Sequence, residues 1–277
     1  MAALLALCSA ATYGIGDFCG GLAARRIPAT TVLLWSHLLG LTLLAMSTLF
    51  IAGDPTAGDL LLGAVGGLAG AAGVGLLYKG LAVGQMSVVA PITALLSAAV
   101  PVVAGYAEGE RPGGAAVAGM ALALVAIVLV SAQDGGTLRP SDARSVMYAL
   151  GAGLGFGFFF VLLSHSGEDA GMWPLVAARG ASVVVVGSLA LLGLAPRTPP
   201  IRGSRELTAG AGALDALANV LYLVAVRQGL LGVVSVLAAL YPVSTVILAR
   251  LVLHERFARV QVAGMALALP AVVLMAA

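Results

Sequence analysis

Ten apolar segments, each close to twenty residues long, follow one another with little between them. They run 2–23, 30–51, 60–78, 87–107, 115–131, 145–163, 173–194, 207–226, 233–253 and 260–276. A helix crossing roughly 30 Å of hydrocarbon needs about 20 mainly apolar residues, so this series reads as ten membrane spans. Turn formers and charges stand in the breaks, as in Arg25-Arg26-Ile27-Pro28, Gly53-Asp54-Pro55, Glu110-Arg111-Pro112-Gly113-Gly114, Gln133 to Asp142, and Pro196 to Arg205. Composition agrees: 61% of the 277 residues are hydrophobic and 9% charged, whereas a soluble domain is about a quarter charged. That excludes an ordinary cytosolic enzyme, a disordered chain and a nucleic-acid binder. The formal net charge of +2 calls for no polyanionic partner. The expected fold is an all-α integral membrane protein of ten transmembrane helices, with no room for a soluble domain.

The first segment begins at the N-terminus but is not read as a signal peptide. It lacks a basic leader, holds Asp17 within its apolar run, and is followed by nine similar segments, so it is expected to stay as a span. Cys8 and Cys19 share that segment, and eleven residues of helix hold them roughly 16 Å apart, too far for a disulfide. No metal-ligand spacing occurs, so no metal is expected, nor is a cofactor, and the lack of a Gly-x-x-x-x-Gly-Lys-Ser/Thr phosphate loop speaks against primary transport.

The most specific signal is an internal repeat. Val-Ala-Gly-Met-Ala-Leu-Ala-Leu stands at 117–124 and again at 262–269, with Glu110-Arg111 and Glu255-Arg256 at the same distance upstream. Gly14-x-Gly16-x-Phe18 is echoed by Gly155-x-Gly157-x-Phe159, and Tyr78 by Tyr222. The chain therefore divides into five-span units at 1–133 and 143–277, joined by a linker at 134–142. An odd number of spans forces the second copy to enter the membrane upside down, giving two inverted five-helix repeats. Secondary transporters of this architecture hold substrate near the midplane, between the repeats.

Ten spans in two halves, Gly-x-Gly-x-Phe in the first span of each half, and a Glu-Arg pair before an Ala-Gly-Met fifth span resemble the EamA family of the drug/metabolite transporter superfamily. The likeness covers essentially the whole chain. It implies transport, usually export, of small metabolites such as amino acids, nucleosides or drugs, and a small-molecule substrate as partner.

An ionisable group at the centre of a span costs at least about 2.5–3.5 kcal/mol, so each one needs a reason. Asp17 shares a helix face with Tyr13, Gly16 and Gly20. It reads as a cavity carboxylate that carries a proton or pairs with a cation, or as one satisfied by neighbouring donors. Asp215, Asn219 and Tyr222 form one polar stripe in the eighth span, expected to face inward as a substrate surface or as a lock between helices. Arg179 lies about two turns inside the seventh span, and His37 at similar depth in the second, its repeat counterpart. Either is a substrate contact or part of the structure, by snorkelling for Arg179 and hydrogen bonding for His37.

Trp35, Tyr78, Phe156, Phe159 and Tyr241 are candidate aromatic walls, with ordinary packing as the alternative. Trp35, Trp173 and Tyr148 also suit the membrane interface. Pro91, Pro101 and Pro242 are expected as hinges or static kinks. Glycines of the third and sixth spans have the small-xxx-small spacing of close helix packing. Glu110 and Glu255, with their arginines, are expected as turn ion pairs and caps, or as gates on opposite faces.

Loops after odd-numbered spans carry Arg25, Arg26, Lys79, Arg139, Arg144, Arg197, Arg202, Arg205, Arg250, Arg256 and Arg259; the others carry Arg111 and Arg227. The positive-inside rule then puts both termini of this cell-membrane protein outside, whereas the resemblance implies inside. Two rivals to a transporter stand. Gly14-Ile15-Gly16-Asp17 formally matches the Gly-x-Gly-Asp motif of intramembrane aspartyl proteases, with Asp215 as second carboxylate, although the sixth-span echo has Phe158 in place of an aspartate. The other is a non-transporting membrane scaffold.

Overall fold

Hydrocarbon offers no hydrogen bonds, so a spanning backbone must satisfy itself, and helix does so within each segment. The computed structural model describes residues 1–83, 86–131, 143–196, 199–253 and 258–276. These form α1 (Ala2–Ala24), α2 (Ala29–Ser47), α3 (Ala57–Val83), α4 (Met86–Ala107), α5 (Gly114–Ser131), α6 (Ala143–Ser164), α7 (Trp173–Leu191), α8 (Arg205–Val226), α9 (Leu231–Ala238), α10 (Tyr241–Leu253) and α11 (Arg259–Ala276), with one 3₁₀ turn at Glu168–Ala170. Seven of them are long and apolar enough to cross a membrane, and shorter apolar stretches run Ile92–Ala107, Gly114–Val130 and Leu231–Thr245. Outward side chains such as Leu61, Val184 and Leu269 are apolar and exposed, as contact with lipid demands.

The ninth segment differs from expectation: it is two helices, broken between Ala238 and Tyr241. Pro242, the second residue of α10, has no N–H to donate to the Ala238 carbonyl, so the helix must restart there. In α4, the corresponding element, the helix runs unbroken through Pro91 and Pro101 to Ala107. The three prolines are therefore not equivalent devices.

The two halves interlock. α1 packs on α8 and α3 on α6, α2 crosses α7 and α8, α7 crosses α3, and α5 lies along α11. All of these contacts run between halves, so each five-helix unit buries its inward faces against the other. α1 and α8 run antiparallel: Ser9 Oγ donates to the Ala218 carbonyl at 2.8 Å, while Arg26, at the other end of α1, donates to the Gly203 carbonyl at 2.8 Å.

The octapeptide repeat finds its cause in α5 and α11. A Cβ on Gly119 would lie 3.0 Å from Leu274 Cβ and 2.8 Å from the Ala271 carbonyl oxygen; one on Gly264 would lie 2.8 Å from Leu129 Cβ and 2.6 Å from Val130 N. Gly119 and Gly264 are the same residue of the two copies, and Leu129 and Leu274 are equivalent in the same register. Each copy thus receives the other at the same place, as a two-fold axis in the membrane plane requires. Gly67 against the Ala178 backbone and Gly212 against the Ser36 backbone form a second such pair.

Candidate functional site

Between the halves, α1, α3, α4, α6, α7, α8 and α10 surround a partly open cleft, with about 480 Å³ of non-atom space when the open solvent at its mouth is included. Its wall contains Tyr13, Asp17, Phe156, Phe159, Arg179, Asp215, Asn219 and Tyr241 from the sequence-based candidates, together with Gly70, Val74, Ser97 and Phe160. Asp215 sits near the middle of α8, and Asp17 about two turns from the C-terminal end of α1. In the register that aligns Gly67 with Gly212, which sets Tyr222 opposite Leu77 and so shifts the expected Tyr78–Tyr222 echo by one residue, Asp215 corresponds to Gly70 and Asn219 to Val74. Equivalent positions of the two halves therefore line the cleft, polar from one half and apolar from the other.

The charged groups are arranged unequally. Arg179, buried to 4% exposure, makes an ion pair with Asp215, whose carboxylate also accepts from Asn219 Nδ2 at 3.2 Å. Asn219 Nδ2 donates to the Asp215 carbonyl as well, at 2.7 Å, leaving Asn219 Oδ1 buried without a partner. Asp17 has no hydrogen bond or ion pair among the described residues, although Asp215 and the hydroxyls of Tyr78 and Tyr241 lie within its electrostatic reach. The hydroxyls of Tyr13 and Tyr241 are likewise buried and unpaired. The wall thus carries two carboxylates against one guanidinium, and the excess carboxylate is Asp17.

His37 stands behind Arg179. Its Nε2 lies 3.3 Å from Arg179 NH1 and its Nδ1 2.6 Å from Ser182 Oγ. A guanidinium can only donate, so Nε2 accepts and Nδ1–H donates to the serine, which fixes the tautomer. His37 is therefore a support that orients Arg179, and the two repeat counterparts meet where α2 crosses α7.

Four aromatic and polar candidates lie outside the cleft wall. Trp35 is 40% exposed on the outer face of α2, where an indole packs against lipid. Tyr222 is fully buried, its hydroxyl 2.8 Å from Ser235 Oγ and its ring stacked on Phe160 at 4.2 Å, so it locks α8 to α9. Tyr78 is buried with its hydroxyl against Gly20, closing α3 onto α1. His37 is the fourth, one layer back.

Glu110 makes no ion pair with Arg111, contrary to expectation. α4 ends with Gly109 at φ +99° and a Glu110 N–H to Gly105 carbonyl bond of 2.8 Å, a left-handed stop that turns the chain back. The Glu110 carboxylate then accepts from the N–H groups of Leu231 and Gly232, at 2.5 and 3.1 Å, capping α9 of the other half. Arg111 instead donates to the carbonyls of Tyr106 and Glu110. On the same face Asp59 accepts from Gly167 N–H at 2.7 Å and Arg227 donates to the carbonyls of Gly167 and Gly171. Glu255 and Arg256 and the linker at 134–142 lie outside the described residues, as does the side chain of Pro91.

The EamA-like transporter family model matches residues 1–132 and again 143–277. No curated protein matches the chain significantly. Among seventeen matching chains of solved structures, one described only as a crystal structure of a protein superposes with a TM-score of 0.80 at 15% identity, over 99% of this chain and 95% of that one. At that identity the likeness shows the fold alone. Two copies of the family model covering nearly every residue carry the assignment: the chain belongs to the EamA-like transporter family, and it is a multi-pass membrane transporter rather than an enzyme.

Proposed function

We propose that the protein is a secondary transporter that exports small organic metabolites or drugs by alternating access between its two inverted halves. The observation that carries this reading is Asp17, an unpaired carboxylate on the wall of a cleft between the halves, within the span of α1. A charge in a membrane span costs at least about 2.5–3.5 kcal/mol at the centre, a cost that a partner in the fold would normally offset. Here the partner is left to be supplied from outside, by a proton or by solute. The substrate surface consists of Tyr13, Asp17, Phe156, Phe159, Arg179, Asp215, Asn219 and Tyr241.

The two halves exchange conformations by rocking against each other, with the α5–α11 contact as the axis. The break before Pro242 supplies a hinge beside the cleft, and Glu110 holds α4 against α9 at one face as a gate. The charge distribution puts that face, with both termini, outside the cell. Proton coupling enters through Asp17, faced by Asp215 from α8, Arg179 from α7, Tyr78 from α3 and Tyr241 from α10.

The test is to compare metabolites inside and outside cells overexpressing the wild type or Asp17→Asn. Solutes accumulate outside with the wild type and not with the variant. If none differs, the site is wrong; if export proceeds unchanged when the proton gradient is collapsed, the coupling is wrong while transport stands.

A further inference from the structure

We infer that the cleft selects a protonated primary or secondary amine carried on an apolar body, a conclusion that rests on the cleft being the substrate site. Charge sets the sign. Arg179 is neutralised by Asp215, which leaves Asp17, among the described residues of the wall, as the carboxylate without a counter-charge, negative whenever it carries no proton. A monovalent cation restores neutrality, a neutral solute does not, and an anion adds to the repulsion.

Hydrogen bonding separates an amine from a quaternary cation. Asn219, at 1% exposure, spends its donor on Asp215 and keeps only its carbonyl oxygen unpaired. With the two oxygens of Asp17, this makes the wall rich in acceptors, and the unpaired hydroxyls of Tyr13 and Tyr241 accept as readily as they donate. An N–H-bearing cation matches them; a tetra-alkylated one leaves them empty. The rings of Phe156, Phe159 and Phe160 on the same wall favour a cation and an apolar body together. A zwitterionic amino acid fits less well, because its carboxylate would compete with Asp215 for Arg179 and would add a second anion beside it.

The experiment measures saturable binding to the purified, lipid-reconstituted protein for five matched probes: phenethylamine, its quaternary trimethylammonium analogue, 2-phenylethanol, phenylalanine and 3-phenylpropionate. Phenethylamine is expected to bind at least about tenfold more tightly than each of the others. Asp17→Asn is expected to reduce its affinity by at least about tenfold and to affect 2-phenylethanol less, so that the preference for the amine is lost. Equal binding of amine and alcohol, preference for phenylalanine or 3-phenylpropionate, or no saturable binding of phenethylamine would overturn the proposal. If the quaternary analogue binds as tightly as the amine, the hydrogen-bonding argument fails. The probe series reads the wild type alone, so it stands even if the variant does not fold. Binding without exchange of labelled phenethylamine across proteoliposomes would sink the transport reading and leave the amine site, whereas export of other solutes without amine binding would do the reverse.

Discussion

Removing both members of the Arg179–Asp215 pair should cost less than the sum of removing each alone. Arg179 is 5% and Asp215 26% exposed by side chain, and the pair joins α7 to α8. Two unit charges about 4 Å apart in surroundings of effective dielectric near 20 attract by about 4 kcal/mol. Truncating one partner of a buried pair costs roughly 3–5 kcal/mol, because the survivor keeps its desolvation without its counter-charge. The lower end applies to Arg179→Leu, since the stranded carboxylate still reaches the cleft and Asn219. It also leaves His37 Nε2 without its donor, adding roughly 1 kcal/mol. Asp215→Leu strands a guanidinium that is almost wholly enclosed. The double variant removes both charges, so a coupling energy of about 2 kcal/mol is expected from a double-mutant cycle, well above the roughly 0.6 kcal/mol average of hydrogen bonds between membrane helices. Equilibrium unfolding in mixed micelles provides the four stabilities. Single costs that add to the double within about 0.5 kcal/mol would refute the reasoning, since the ion pair would then contribute no more than its surroundings.

Three further outcomes follow from the packing. Gly119→Ala and Gly264→Ala should each destabilise by about 1–3 kcal/mol, because a Cβ meets backbone that cannot rotate away, and the two costs should be similar by symmetry; thermal unfolding that distinguishes them strongly would contradict the two-fold arrangement. Trp35→Ala should leave transport rates unchanged, its ring facing lipid; a rate loss beyond about twofold would place the indole on the solute path. Glu110→Gln keeps one acceptor for the α9 N–H groups but loses the charge, so hydrogen exchange at Leu231 and Gly232 should quicken; unaltered exchange would mean that the carboxylate does not hold that helix.

How much of this the sequence carries depends on the kind of signal. Asp17, Asp215 and Arg179 stand out because a charge in an apolar run needs a partner, and all three line the cleft. The octapeptide is legible as a repeat, yet its reason, helix contact across a two-fold axis, appears only when Gly119 meets Leu274 and Gly264 meets Leu129. Helices that are apolar all round show no periodicity to say which face turns inward. Trp35 and Phe160 therefore look alike in the sequence although one meets lipid and the other the cleft, and Ser97 carries no mark at all. The membership of Gly70 and Val74 was recoverable through the repeat, from Asp215 and Asn219. The partner of Glu110 was not, since nothing local links it to Leu231.

The central claim is that the cleft opens to each side of the membrane in turn. The direct measurement places a single cysteine at Val74, on the apolar side of the cleft, in a chain whose Cys8 and Cys19 are replaced, and applies a membrane-impermeant thiol reagent to sealed vesicles of either orientation. Alternating access predicts labelling of Val74→Cys from both faces, slowed on both by bound phenethylamine. Labelling confined to one face, whatever the load, would contradict it.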